Sequence, residues 1–193
     1  MTKKLIYGIG YNSKGVHKTI KNGKRTKSYQ AWRDMMRRCY DTDFHEIQPT
    51  YLGCSVDTRW HDFQSFAEWF YSHPYSDSGY QLDKDILVHG NKVYSPDSCV
   101  FIPKQLNVLL NNNRSSRGGL PQGVCWDKQS AKYKAQLSIN GRHKNLGLFS
   151  NPQDAHTSYK KAKEAYVRDK ATEWRGRIDR SVYHSLMSWR LTT

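Results

Sequence analysis

Asp83-Lys84-Asp85 sets a carboxylate on each side of an ammonium, between the apolar residues Leu82 and Ile86. His89 follows in the next loop, and Asn107 later interrupts the apolar pattern of PKQLNVLL. YQLDKDIL has the alternation of a strand, VHGNKVYSPDS is rich in turn residues, and CVFI suits a buried strand. Pro103 then opens a helix whose Leu106, Leu109 and Leu110 face the core. Asn107 falls one position round from Leu106, at the edge of that stripe, from where it can point to the end of the first strand. A carboxylate and an amide oxygen converging there would make a hard-cation site suited to Mg²⁺ or Mn²⁺. The alternative is that Asp83 and Asp85 are ordinary surface carboxylates near basic residues and need no metal.

The elements that must position these groups lie in a chain of 193 residues with a formal net charge of +14. That charge is segregated. Residues 1–40 hold eleven Lys/Arg and one acid, residues 41–111 four and ten, and residues 112–193 sixteen and six. Basic surface of this density points to a polyanion, most often nucleic acid. An acidic middle would repel phosphate unless a divalent metal neutralises it. No run of eighteen apolar residues occurs, so no membrane partner is expected. MTKKLIYGIGYNSKG lacks a secretory apolar stretch, and the expected setting is intracellular. Cys39, Cys54, Cys99 and Cys125 form no CxxC pair and are expected as reduced core thiols. Cys39, His45 and Cys54 could share a metal only with a fourth ligand that the spacing does not supply.

Residues 5–27 are strand-like, with turn signals at Asn12-Ser13 and Asn22-Gly23. SYQAWRDMMRRCYD is expected as a helix with Ser28 as N-cap and Tyr29, Trp32, Met36 and Cys39 on one face. A second helix is expected over 59–72, capped by Thr58 or Asp57, with Phe63, Phe66, Ala67 and Phe70 on its apolar stripe. The polar stretch NNNRSSRGG marks a basic linker at 112–119, whose Arg114 and Arg117 would meet phosphates.

Beyond it, GVCWDK is a short strand and KYKAQLSI alternates. Asn140-Gly141 is a two-residue hairpin loop that places Ile139 opposite Arg142, Ser138 opposite His143 and Gln136 opposite Asn145. One face then carries Lys132, Lys134, Gln136, Ser138, His143 and Asn145, with Arg142 at the tip. The other face, ending in Leu146 and Phe149, is apolar. Asn151-Pro152 starts a helix with Ala155, Tyr159, Ala162 and Tyr166 on its stripe. The tail is expected as a helix that docks on the protein through Ile178, Val182, Leu186 and Trp189.

Two resemblances follow from these residues. Residues 123–162 resemble the plant ethylene-response-factor (APETALA-two) DNA-binding domain in Gly123-Val124, Tyr133, Ala135, Leu146-Gly147, Phe149, Ala155, Tyr159 and Ala162. The resemblance implies a sheet lying in the DNA major groove. Its reading positions here are Cys125, Asp127, Gln136, Ser138, His143 and Asn145, where the family's arginines and tryptophan are missing. Residues 82–107 resemble the ββα-metal motif of HNH nucleases. Pro96-Asp97-Ser98 up to Asn107 follows their spacing, with Ser98 in a central Asn slot, and Leu82-Asp83-Lys84-Asp85-Ile86 stands where one branch has Leu-Asp-His-Asp-His. That resemblance implies metal ligands Asp83 and Asn107 and places Lys84 in the general-base slot. A protonated lysine, with a reference pKa of about 10.4, is a poor base unless strongly perturbed. Lys84 perturbed by its surroundings, His89 in its place, or a dead site all remain open.

The chain is therefore expected to be α+β. An N-terminal α/β segment spans 1–111 with the ββα motif at 80–111, and the linker at 112–119 leads to a three-stranded antiparallel sheet packed on one helix at 120–170. A helical tail occupies 171–193. The arrangement resembles phage-encoded proteins regarded as homing-type endonucleases, with YQAWRDMMRRCYD, PTYLGCSV and the Trp60–Trp69 helix as further matches. It implies an Mg²⁺- or Mn²⁺-dependent endonuclease acting on double-stranded DNA in a bacterial host's cytoplasm, with two basic arms holding the duplex and no small-molecule substrate. Asp83, Lys84, Asp85, His89 and Asn107 would be its catalytic set. The alternative is a catalytically inactive DNA-binding repressor or competitor. Target sequence and oligomeric state are not legible in the chain.

Overall fold

The computed structural model describes residues 5–110 and 119–191 of the chain. It is a mixed α+β structure that divides into two compact units, Met1–Lys104 and Gln105–Thr193.

The first unit begins with an irregular segment and a small hairpin. β1 (Ile20–Lys21) and β2 (Lys24–Arg25) are joined by Asn22-Gly23, both at positive φ as a type I′ turn requires. α1 (Lys27–Tyr40) follows, capped by the Thr26 side chain, which accepts from the Tyr29 amide. Ser28, expected as the cap, is instead fully buried inside the first turn and donates its hydroxyl to the Tyr71 oxygen. The extended backbone of Thr26 starts the helix earlier than the apolar stripe alone suggested. Trp32, Met36 and Cys39 are buried as expected, joined by Met35.

Asp41 ends α1 and caps α2 (Thr42–Ile47), a helix with no buried residue. β3 (Ser55–Val56) comes next, and Asp57 caps a single 3-10 turn at Thr58–Trp60. The expected second helix starts later, at Asp62, whose side chain caps α3 (Phe63–Ser72). Its stripe of Phe63, Phe66, Ala67 and Phe70 is buried. These rings pack with Trp32 and Trp60, and the Trp32 indole donates to the Trp60 carbonyl at 2.8 Å. Phe101 meets Phe70 edge-on at 5.2 Å, tying this aromatic core to the strands that follow. Each ring so buried contributes roughly 1.5–3 kcal/mol.

β4 (Gln81–Asp83) pairs antiparallel with β6 (Val100–Ile102), while β5 (Val93–Tyr94), inside the segment expected as loop, pairs parallel with β3. α4 (Lys104–Leu110) follows β6 directly, with Leu106 buried.

In the second unit β7 (Val124–Asp127), β8 (Lys132–Ile139) and β9 (Arg142–Phe149) form an antiparallel sheet in that order. α5 (Pro152–Glu173), capped by Asn151, lies on one face through Ala155 and Tyr159 and runs past the boundary expected at 170. α6 (Arg180–Ser188) packs on α5, burying Ile178, Val182 and Leu186, and Trp189 joins a cluster with Leu137, Tyr159 and Leu191. No helix among the described residues is long and apolar enough to cross a membrane.

Gly123 fixes the contact between sheet and helix. Its φ is +76°, in the left-handed region, and a Cβ there would lie 2.0 Å from the Tyr159 ring. Gly123→Ala should therefore destabilise the second unit by about 3 kcal/mol or more, combining overpacking with left-handed strain. Gly141→Ala, which has open space around it, should cost only about 1–2 kcal/mol. Chemical denaturation of both variants checks this, and equal losses would show that Tyr159 does not press on Gly123.

Candidate metal centre and nucleic-acid interface

β4 stops at Asp83 because the Asp83 side chain takes over from the strand. Its Oδ1 accepts from the amides of Asp85 at 3.0 Å and Ile86 at 2.8 Å. This turn bends the chain through residues 84–88, where alternation alone suggested continued strand to 87. Burial and then the neighbouring Asp85 carboxyl push the pKa of Asp83 up to about 6, although the two amides pull the other way.

Asp85 is exposed and pairs with Lys84, Nζ to Oδ2 at 3.3 Å. Lys84 itself is only 8% exposed, and its ammonium lies 5.7 Å from the centre of the Tyr94 ring. The loop beneath is pinned by Asn91, whose amide donates to Lys84 O at 2.7 Å and Val93 O at 2.8 Å and accepts from Val93 N at 3.0 Å. Ser98 adds a bond to Val93 O at 3.1 Å. Asn91 carried no signal in the apolar pattern; only its place in the turn-rich stretch VHGNKVYSPDS marked it as a turn residue.

Cys39, Cys54 and Cys99 are buried, and burial holds the Cys39 and Cys99 thiols at about 12, so they stay protonated and inert. His45 is bonded to Arg38 O at 2.8 Å. Among the described residues no group of three or more His, Cys, Asp or Glu is placed to hold a metal ion. What Asp83 and Asp85 offer is a pair of carboxyls whose mutual repulsion a hard cation would relieve. Mg²⁺ commonly makes do with one or two carboxylates, waters and substrate phosphate. The oxygen donors fit such an ion; the Lys84 ammonium competes with it for Asp85. His89 is exposed in the turn after this loop. Asn107 is half-buried on α4 and belongs to the second unit, Asp83 to the first.

On the C-terminal sheet the pairs Gln136–Asn145, Ser138–His143 and Ile139–Arg142 stand as the hairpin turn dictates. Lys132, Lys134, Gln136, Ser138, His143 and Asn145 therefore share the face away from α5, with Cys125 opposite Lys134 and Asp127 opposite Lys132. Arg142, opposite Ile139, belongs by register to the other face, at the exposed tip. Arg114 and Arg117 lie outside the described residues, as does the linker apart from Gly119.

The alternation of β9 held no sign of a bulge at Leu146. Asn145 pairs with Gln136 and Gly147 with Ala135, so Leu146 is the extra residue. Gly147 takes φ +132° there, and its amide donates to Asn145 Oδ1 at 3.0 Å. The bulge packs Leu146 and Phe149 on one side and turns Leu148, 42% exposed, onto the outer face beside Lys134. It also engages one lone pair of the Asn145 amide oxygen, which fixes the orientation of that amide. Asp127 is likewise engaged: Ser130, through its hydroxyl at 2.6 Å and its amide at 3.0 Å, holds the carboxyl below the usual range.

No family model, curated protein or solved structure matches this chain.

The carboxyl pair can be tested directly. In metal-free protein Asp83 should titrate at about pH 6 by carboxyl-detected NMR, with added Mg²⁺ lowering the midpoint. Because the folded state raises this pKa, its contribution favours folding below the unfolded value of about 3.9 and is lost as pH rises through about 6. Asp83→Asn should flatten the stability curve between about pH 4 and 7 by at most about 3 kcal/mol. Titration at an ordinary carboxylate value would mean that neither burial nor the Asp85 carboxyl perturbs Asp83.

Proposed function

We propose that this chain is a sequence-directed DNA-binding protein of the HNH-like, homing-endonuclease kind, with an ethylene-response-factor-like sheet as its reader. The observation that carries the DNA reading is the outer face of β7–β9: lysines, amides and a hydroxyl in fixed register on a sheet whose other face is covered by α5. Lys132 and Lys134 suit phosphates, Gln136 suits adenine, and the exposed Leu148 suits a thymine methyl.

The cutting reading is supported by an antiparallel strand pair leading directly into a helix, with Asp83 at the first strand's end. By the resemblance, Asp83 and Asn107 would be the ligands of Mg²⁺ or Mn²⁺. Such an ion would stabilise charge on the scissile phosphate and the leaving oxygen. The Asx turn fixes the Asp83 carboxyl. His89, exposed where Lys84 is buried, would then be the group that takes a proton from water.

The second reading is a protein that binds duplex DNA without cutting it, as a repressor or competitor. Lys84 favours it: the residue in the base slot is buried, with its ammonium against Asp85.

Supercoiled plasmid carrying bound sites, incubated with Mg²⁺ or Mn²⁺, separates the two readings. Nicking that Asp83→Ala and Asn107→Ala abolish, with binding retained, supports the enzyme; tight binding with no cleavage in either metal leaves only the binder. On the reader face, Gln136→Ala should relax preference at its base by about 1–3 kcal/mol. Lys132→Ala should weaken all duplexes alike and lower the salt slope by roughly one unit. Equal losses on every sequence for both variants would remove the sheet's role in reading.

A further inference from the structure

The β1–β2 hairpin has no reason to be stable by itself. Its four strand residues are all exposed, Ile20 at 58%, and so short a ribbon buries no apolar face. It is held from its root. Thr26 donates its amide to Thr19 O at 3.0 Å and its hydroxyl to Lys18 O at 2.9 Å, and the same hydroxyl caps α1. Arg25 reaches Gln30 at 3.3 Å, and Lys27 pairs with Asp77 at 3.3 Å.

Its charges oppose folding. Lys21 stands directly across from Lys24, a like-charge pair that destabilises a ribbon. Lys18, Lys21, Lys24, Arg25 and Lys27 crowd the positive end of α1, whose first turn carries no acid. No acid precedes Asp34 in the chain. Among the described residues Lys18, Lys21 and Lys24 have no ion-pair partner. A firmly anchored turn that presents three uncompensated ammonium groups matches the spaced negative charges of a nucleic-acid backbone.

We infer that this hairpin is a second, sequence-blind contact on duplex DNA, gripping phosphates through Lys18, Lys21 and Lys24 while the sheet of the other unit reads bases. The inference rests on the DNA-binding reading above but on separate residues, so the two can fail separately. The test uses the full chain with Lys18, Lys21 and Lys24 all changed to Gln, and follows binding to several duplexes across a salt series.

The salt slope should fall by about 2.7 units, or about 0.9 for each phosphate that is no longer neutralised. Affinity should drop by the same factor on every duplex, with the ranking of sequences unchanged. The melting temperature should hold or rise, since the Lys21–Lys24 repulsion is gone; this shows that the variant is folded. An unchanged slope in a folded variant, with the wild type binding duplex, overturns the hairpin and leaves the reader standing. A changed ranking of sequences overturns its sequence-blind role. Wild-type protein that binds no duplex at low salt overturns both readings.

Discussion

The Asp83 carboxylate accepting two amides of its own chain governs the first unit's candidate chemistry. That single turn ends β4, reverses the chain before the Asn91-pinned loop, and brings Asp85 back beside Asp83. A strand that continued instead would have carried the second carboxyl onward along β4. The bend also drives Lys84 inward against Tyr94, where its ammonium pairs with the neighbouring Asp85 carboxylate. A divalent ion at Asp85, if the proposed function holds, would have to compete with that ammonium.

The charge segregation acquires a structural meaning around this turn. The acidic middle of the chain contains the carboxyl pair, while the basic segments contain the anchored hairpin and the outer face of the sheet. On the proposed DNA-binding reading, the two basic places would attract phosphate and the acidic one would repel it. That arrangement is difficult to explain by folding stability alone, because the Lys21–Lys24 pair works against folding.

Much of the scaffold was legible in the sequence because it rests on repeated contacts. The stripes of α1 and α3 bury many rings, and Asn140-Gly141 fixes a register that leaves little choice. The features that stayed hidden rest on single contacts. α2 buries nothing, so no stripe announced it, and its cap at Asp41 was the one available signal. Thr26 displaced Ser28 as cap through one backbone conformation. For the candidate site, the strand–loop–strand–helix order could be read in advance. The Asx turn and the burial of Lys84 could not, because both depend on where the chain bends rather than on alternation.

The bulge at Leu146 divides the C-terminal sheet into a fixed side and an adjustable one. Gly123, Tyr159, Leu146 and Phe149 lock the helix side, and a change in any of them disturbs its packing. The outward side chains on β8 alternate with that locked set, so each can be exchanged without moving its neighbours. On the proposed reading, point substitutions would thus retune recognition stepwise, whereas losing one residue at the bulge would turn part of β9 inside out. Such a module can diversify readily by replacement and hardly at all by deletion.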